Sequence, residues 1–351
     1  MPLASEGSIF QQPLIAGGKG DCVPLFQHPA TAMPSEFDLI GRYFSRNSPS
    51  ALLGVGDDGA LVQPRADMSL VVSTDMLLEG RHFLPGTDPK RLGHKSLAVN
   101  LSDLAAMGAD ARWALLAIAL PEANEAWVAG FAKGFFALAD VYGVDLIGGD
   151  TTRGPLAISV TIMGEVPPNL ALRRDAARAG DDIWLSGATG EAALGLAHIQ
   201  GRVKLAAADL AQCMTRLDLP EPLLELGARL RGIARSAIDV SDGLLADLTH
   251  ILQSSGVAAD VYLESVPCAA ALASCPDPVL ARDCQLAGGD DYELLFTAPS
   301  HCRAEIDALS QELNLALTRI GSIIPGEPLV TVRDASGQPV PVAHRGFDHF
   351  G

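Results

Sequence analysis

The apolar residues of this chain fall in short runs, each cut off by a charge, a glycine or a proline. Runs such as Leu70-Val71-Val72 and Trp113–Leu120 have the length of a buried strand. Other stretches carry apolar residues at helical spacing, as at Leu244, Leu245, Leu248, Ile251 and Leu252. No run approaches the ~20 residues needed to span a bilayer, so a membrane protein is not expected. Strand-like and helix-like segments mix in both halves of the 351 residues. A chain of that length can bury two cores. The expected fold is two domains, each α+β or α/β.

Ser35 with Asp38 reads as a helix start, and Phe37, Ile40 and Phe44 form its apolar stripe. A strand is expected at Leu52–Val55, followed by the turn Gly56-Asp57-Asp58-Gly59. A second strand, Leu70–Thr74, is expected to end on Asp75. Asp88-Pro89 opens a long helix through Lys95, Asn100 and Asp103 to a stop at Gly108. Strands are expected at Trp113–Leu120, Val144–Ile147 and Leu156–Val166, and a helix at Asn124–Tyr142. Gly148-Gly149-Asp150 reads as a turn. Pro167-Pro168 marks a linker, giving an N-terminal domain over 35–166 and a C-terminal domain over 167–351. The second half is expected to carry strands at Asp182–Leu185 and Ala237–Val240 and near Val257–Leu263, Tyr292–Thr297 and Ala316–Ile323. Its helices are expected from Glu191, at Pro222–Leu230 and at Leu244–Ser254. Residues 1–34 lack periodic pattern and the charged start and apolar core of a signal peptide, and read as a disordered extension.

The 42 acidic residues outnumber the 25 basic ones, for a net charge of -17. That balance excludes non-specific nucleic-acid binding, which needs a basic surface. A phosphate ligand would need metal ions or local basic groups to offset the repulsion. The six cysteines form no CxxC pair and no zinc-finger spacing with histidine, the pattern of a reduced, cytoplasmic protein.

Chemistry is suggested by where the aspartates sit. Asp58, Asp75, Asp103, Asp150, Asp239 and Asp242 fall at expected strand ends, in glycine-rich turns or on a largely apolar helix. Such positions hold a side chain at the rim of a cleft. Hard oxygen donors suit Mg²⁺, and Ser73 and Thr74 would add neutral oxygens. The pattern points to a site for several metal ions and phosphate, and names no substrate. Arg174 reads either as a phosphate clamp or as a solvated surface arginine. His82 reads either as a substrate contact or as a structural histidine. Gly54-Val55-Gly56-Asp57-Asp58-Gly59 matches the dinucleotide pattern GxGxxG, but two carboxylates would face the pyrophosphate and Gln63-Pro64 falls where the helix should run. There is no GxxxxGK[ST] loop, no HRD or DFG set, no HExxH and no Ser-His-Asp or Cys-His arrangement.

Taken together, the segments EFDLIGRYF (36–44), GVGDDGA (54–60), STD (73–75), GRHF (80–83), KSLAVNLSDLAAMGAD (95–110), LIGGDTTRGP (146–155), AIDVSDGL (237–244), AGGDDYEL (287–294) and GFDHF (346–350) resemble the thiamine-monophosphate kinase family. Any one alone would indicate only the wider superfamily of ATP-dependent synthetases that includes aminoimidazole ribonucleotide synthetase. The resemblance implies a homodimer whose N-terminal domains form a β-barrel, with an α/β C-terminal domain closing the site. It implies transfer of the γ-phosphoryl of ATP to thiamine monophosphate, in line and without a phosphoenzyme. It assigns Asp58, Ser73, Thr74, Asp75, Asp103, Asp150, Asp239 and Asp242 to several Mg²⁺ ions, with Asp75, Asp103 and Asp150 acting in catalysis through them. Gly149, Asp150, Arg174 and Ser241 would contact ATP, and His82, Asp290 and Phe347 the thiamine phosphate. Two positions depart from the family pattern: Gly289-Asp290-Asp291 replaces Gly-Glu-Asp, and Phe347 replaces Tyr or Trp. The alternatives are another synthetase of the superfamily, making an acyl- or imino-phosphate, and a non-catalytic protein that binds Mg²⁺ and nucleotide.

Overall fold

The structure is a computed structural model that describes residues 34–344, 346 and 347. The expected extension, save Pro34, and the end of the Gly346–Phe350 motif lie outside that range. The first half contains α1 (Glu36–Leu39), β1 (Ser69–Leu78), α2 (Pro89–Ala106), β2 (Asp110–Leu120), α3 (Glu125–Tyr142), β3 (Asp145–Arg153) and β4 (Ala157–Val166). The second half opens with β5 (Asp181–Ser186), α4 (Glu191–Ile199), α5 (Ala207–Asp218), α6 (Leu224–Arg229), β6 (Ser236–Asp239) and α7 (Leu244–Ser255). It continues with β7 (Ala258–Tyr262), α8 (Ala270–Ala273), α9 (Pro278–Ala287), β8 (Leu294–Pro299), α10 (Arg303–Leu313), β9 (Leu317–Ile324) and β10 (Val330–Arg333).

The strands form two mixed sheets, one in each half. The first has the order β1-β4-β2-β3, and the second β10-β7-β9-β5-β8-β6. In the first, only the β2–β3 pair is parallel; in the second, only β10–β7. The architecture is thus two-domain, with strands and helices mixed in each domain.

Helix α2 contacts β1, β4 and β2 of the first sheet and the edge strand β6 of the second, and packs along α3. Its start is set locally: the Asp88 carboxylate accepts from the Lys90 and Arg91 amides at 2.7 and 3.1 Å, with Pro89 in the first turn. Gly108, at φ +64°, ends it. Close approach to α3 depends on two glycines. A Cβ on Gly93 would sit 2.0 Å from the Phe131 carbonyl oxygen, and one on Gly134 1.8 Å from that of Lys90.

Three expectations need correction. Leu52–Val55 forms only isolated bridges, Leu53 to Leu61 and Val55 to Asp57. Gly56 at φ +129° interrupts the extended backbone there, and Leu52 is left exposed. Asp75 does not end β1 but lies inside it, paired with Val160. Gly148-Gly149-Asp150 is not a turn: β3 runs through it, hydrogen-bonded to β2. Gly149 is required because a Cβ there would meet the Leu116 carbonyl oxygen at 1.8 Å.

Strand β1 is an edge whose side chains alternate in role. Val71, Ser73, Asp75 and Leu77 face α2 and the interior. Leu70, Val72, Met76 and Leu78 face the other way and are exposed, Val72 by 55% and Met76 by 59%.

Candidate active site

A cavity of about 420 Å³ opens beside α2. Strand β1 brings Thr74 and Asp75 to it, and α2 brings Lys95, Val99 and Asp103. Those three are four residues apart in succession, so they share one helix face. Strand β6 and the turn after it supply Asp239, Ser241 and Asp242. Asp290 and Tyr292 come from the segment before β8, and His82 and Phe347 also line it, with Arg81 and the α4 residues Ala192, Ala193 and Leu196.

The acids are held by a layer of hydrogen bonds. Ser73 Oγ donates to Asp103 Oδ2 at 2.5 Å, and Ser102 Oγ donates to Asp239 Oδ2 at 2.7 Å. The Asp75 amide donates to Asn100 Oδ1 at 3.1 Å, while the Asn100 amide group donates to the Ser96 carbonyl at 2.9 Å. The backbone amides of Ser241, Asp242 and Gly243 all donate to Asp247 Oδ2, at 3.1, 3.0 and 3.1 Å. One buried carboxylate on α7 thus fixes the turn that carries Ser241 and Asp242. The His82 Nδ1 atom accepts from the Leu78 amide at 3.0 Å, so its Nε2 is the nitrogen that bears the proton in the neutral ring.

The site concentrates negative charge away from water. Burial first, and then the nearby Asp103 and Asp242, push Asp75 up to about 6. Burial, Asp103, Asp247 and Asp75 push Asp239 up to about 8, against the hydrogen bond from Ser102. Asp103 is also raised by burial, and Ser73 and the Arg174 guanidinium pull it back. These shifts describe carboxylates that repel one another in low dielectric and lack enough positive charge.

Other expected site residues lie elsewhere. Asp58 is on the exposed 56–59 turn and does not line the cavity. Across the first sheet Asp75 aligns with Val160, Leu116 and then Gly149. Three strand spacings of about 4.8 Å separate Asp75 from Gly149, roughly 14 Å. Asp150 follows the line of Ala117, Ser159 and Met76, which puts it on the face opposite Asp75. Thr74 reaches the cavity rim, and its hydroxyl is hydrogen-bonded to the Val160 carbonyl and Thr161. Arg174 does not line the cavity, although its charge acts on Asp103. Sequence reasoning gave no role to Lys95, Ser102, Asp247 or Tyr292. The four-residue spacing of Lys95, Val99 and Asp103 was the available signal for the first.

The donor set is carboxylate and hydroxyl oxygen, the chemistry Mg²⁺ prefers. Among the described residues, no three His, Cys, Asp or Glu side chains close on one point as a ready-made metal cage. That spread fits Mg²⁺, which takes one or two carboxylates and completes its shell with water and phosphate oxygens.

Residues 56–166 match the family described as AIR synthase related protein, N-terminal domain, and residues 178–333 its C-terminal domain. The thiamine-monophosphate kinase of Escherichia coli K12 is 45% identical over 320 residues, covering 90% of this chain and 98% of that protein. The chain belongs to the thiamine-monophosphate kinase family. The crystal structure of the family member from Stenotrophomonas maltophilia K279a is 50% identical, with a TM-score of 0.78 over 86% of this chain and 95% of that one. AaThiL complexed with AMPPCP and TMP is 30% identical, with a TM-score of 0.71 over 90% of this chain and 96% of that one.

Proposed function

We propose that this chain is an ATP-dependent kinase that phosphorylates thiamine monophosphate to thiamine diphosphate. The observation that carries the reading is the 45% identity to the Escherichia coli kinase across 98% of its length. The acidic cavity fits that chemistry. The acceptor phosphate is already ionised near neutral pH, so no strong general base is needed. The difficulty is to bring two anions into line. Bound Mg²⁺ would neutralise phosphate charge and stabilise the charge that builds on the transferring group.

Asp75, Asp103, Asp239 and Asp242 are the proposed Mg²⁺ carboxylates within the cavity, with Ser73 orienting Asp103. Asp58, Thr74 and Asp150 are proposed as further Mg²⁺ ligands, and Gly149, Asp150, Arg174 and Ser241 as the ATP contacts. His82, Asp290 and Phe347 are proposed to hold the thiamine phosphate. The domains are taken as 35–166 and 167–351, and the protein as a cytoplasmic homodimer. No helix of the described residues is long and apolar enough to cross a membrane. The dimer, with its barrel, is proposed to form through the outward face of β1, whose exposed apolar row is otherwise hard to reconcile with water.

The test is ADP release with thiamine monophosphate, thiamine and aminoimidazole precursors as parallel acceptors. Turnover is expected with thiamine monophosphate alone, and equal turnover with thiamine would overturn the assignment.

A further inference from the structure

Lys95 is 4% exposed and points from α2 into the cavity, where its ammonium lies 3.0 Å from Asp290 Oδ1. Tyr292 donates its hydroxyl to the same oxygen at 3.0 Å. Asp290 and Tyr292 both have left-handed backbone, φ +70° and +54°, which side-chain-bearing residues seldom adopt. Their amides are pinned to the carbonyls of Ser241 and Val240, each at 2.8 Å. The chain therefore holds Asp290 in place by means other than Lys95.

The pair also stands at a junction. A second cavity of about 220 Å³ shares Lys95, Asp290, His82 and Phe347 with the first. The first cavity carries Asp75, Asp103, Asp239 and Asp242 in its wall. The second is walled partly by Phe83, Leu84 and Leu92, a surface suited to a flat ring.

We propose that Lys95 binds the phosphate of the acceptor, and that the Lys95–Asp290 ion pair is a template for a zwitterion. The inference rests on the kinase reading above and assigns a role to a residue that reading left out. A substrate with a cationic ring and an anionic phosphate can lie antiparallel to the pair. Its ring charge takes Asp290, which Tyr292 keeps aimed, and its phosphate takes Lys95. Both protein charges exchange one opposite partner for another. A ligand with the ring cation alone would take Asp290 and strand a buried ammonium, a large penalty. The pair thus discriminates against the unphosphorylated molecule by what it leaves unpaired.

The experiment is calorimetric binding of thiamine monophosphate and of thiamine, in Mg²⁺, to the intact chain and to its Lys95→Met, Lys95→Gln and Lys95→Arg variants. Both neutral variants should bind thiamine monophosphate about tenfold or more weakly, the scale of one lost charge-assisted contact. They should bind thiamine at least as well as the unmodified chain, because Asp290 no longer has to leave Lys95. Lys95→Arg should keep the preference for the monophosphate, and KM for ATP should stay within about threefold in all variants, well under one such contact. A purely structural role would weaken both ligands together, and that result overturns the proposal. An undiminished monophosphate preference in the neutral variants also overturns it. Lys95→Gln carries the test if Lys95→Met does not fold. An unmodified chain that phosphorylates no thiamine monophosphate would instead overturn the kinase reading.

Discussion

Asp75 and Asp103 approach the cavity from different elements, an edge strand and a buried helix, and each has its own polar support. Asn100 holds the Asp75 backbone, and Ser73 holds the Asp103 carboxylate. Asp75→Asn and Asp103→Asn should each lower kcat by roughly 10²–10³ with the fold intact, the scale of losing one strong electrostatic stabiliser. Steady-state rates at saturating Mg²⁺, beside a melting curve, check this. The raised carboxylates also predict a linkage. Their folded values, about 6 for Asp75 and about 8 for Asp239, lie above the unfolded value, so the folded chain holds the extra protons. Metal-free stability should therefore be greatest at low pH within this window and fall as pH rises from about 4 to about 8. Added Mg²⁺ should raise the melting temperature clearly at pH 8 and little near pH 5. An equal rise at both pH values would show that these acids do not hold the metal. That Asp75, Asp103, Asp239 and Asp242 share one cavity was legible, because several acids beside apolar segments are hard to explain otherwise; that Asp58 and Asp150 lie apart from it was not. Lys95 carried only the weaker signal of its four-residue spacing to Val99 and Asp103, because a helical lysine reads as solvated until the tertiary fold buries it.

Elements with local signals were read well. Asp88-Pro89 and Gly108 bound α2, and Asn124 caps α3 through the Trp127 amide at 3.1 Å. What failed depended on pairing between distant segments. Gly148-Gly149-Asp150 has the composition of a turn, yet β2 draws it into a strand. β1 continues past Asp75 because β4 pairs with it as far as Leu78. The contact of α2 with α3 gives the element-scale prediction. Gly134→Ala puts a methyl group into the Lys90 carbonyl, and Gly93→Ala puts one into that of Phe131. Each should force the helices apart at a cost of about 1–3 kcal/mol or more. Activity should fall with stability, because α2 carries both Lys95 and Asp103. Urea midpoints and kcat measured on the same preparations check this, and an unchanged midpoint would refute the close-packing account.

At the scale of the whole molecule, the mixed α and β character of both halves was legible from run length and periodicity. The packing of α2 against both sheets was not, since nothing in its own sequence names its second neighbour. If the outward row of β1 is a dimer face, Val72→Glu should convert a dimer of 36.6 kDa chains into monomer. Sedimentation at micromolar concentration measures it, and a mutant that stays dimeric would place the interface elsewhere. The alternation along β1 has one more consequence. Because successive residues serve opposite faces, the strand tolerates substitution but not insertion. One added residue before Ser73 would turn the acid outward and the apolar row inward at a stroke. This segment should therefore change over evolutionary time in letters and never in length.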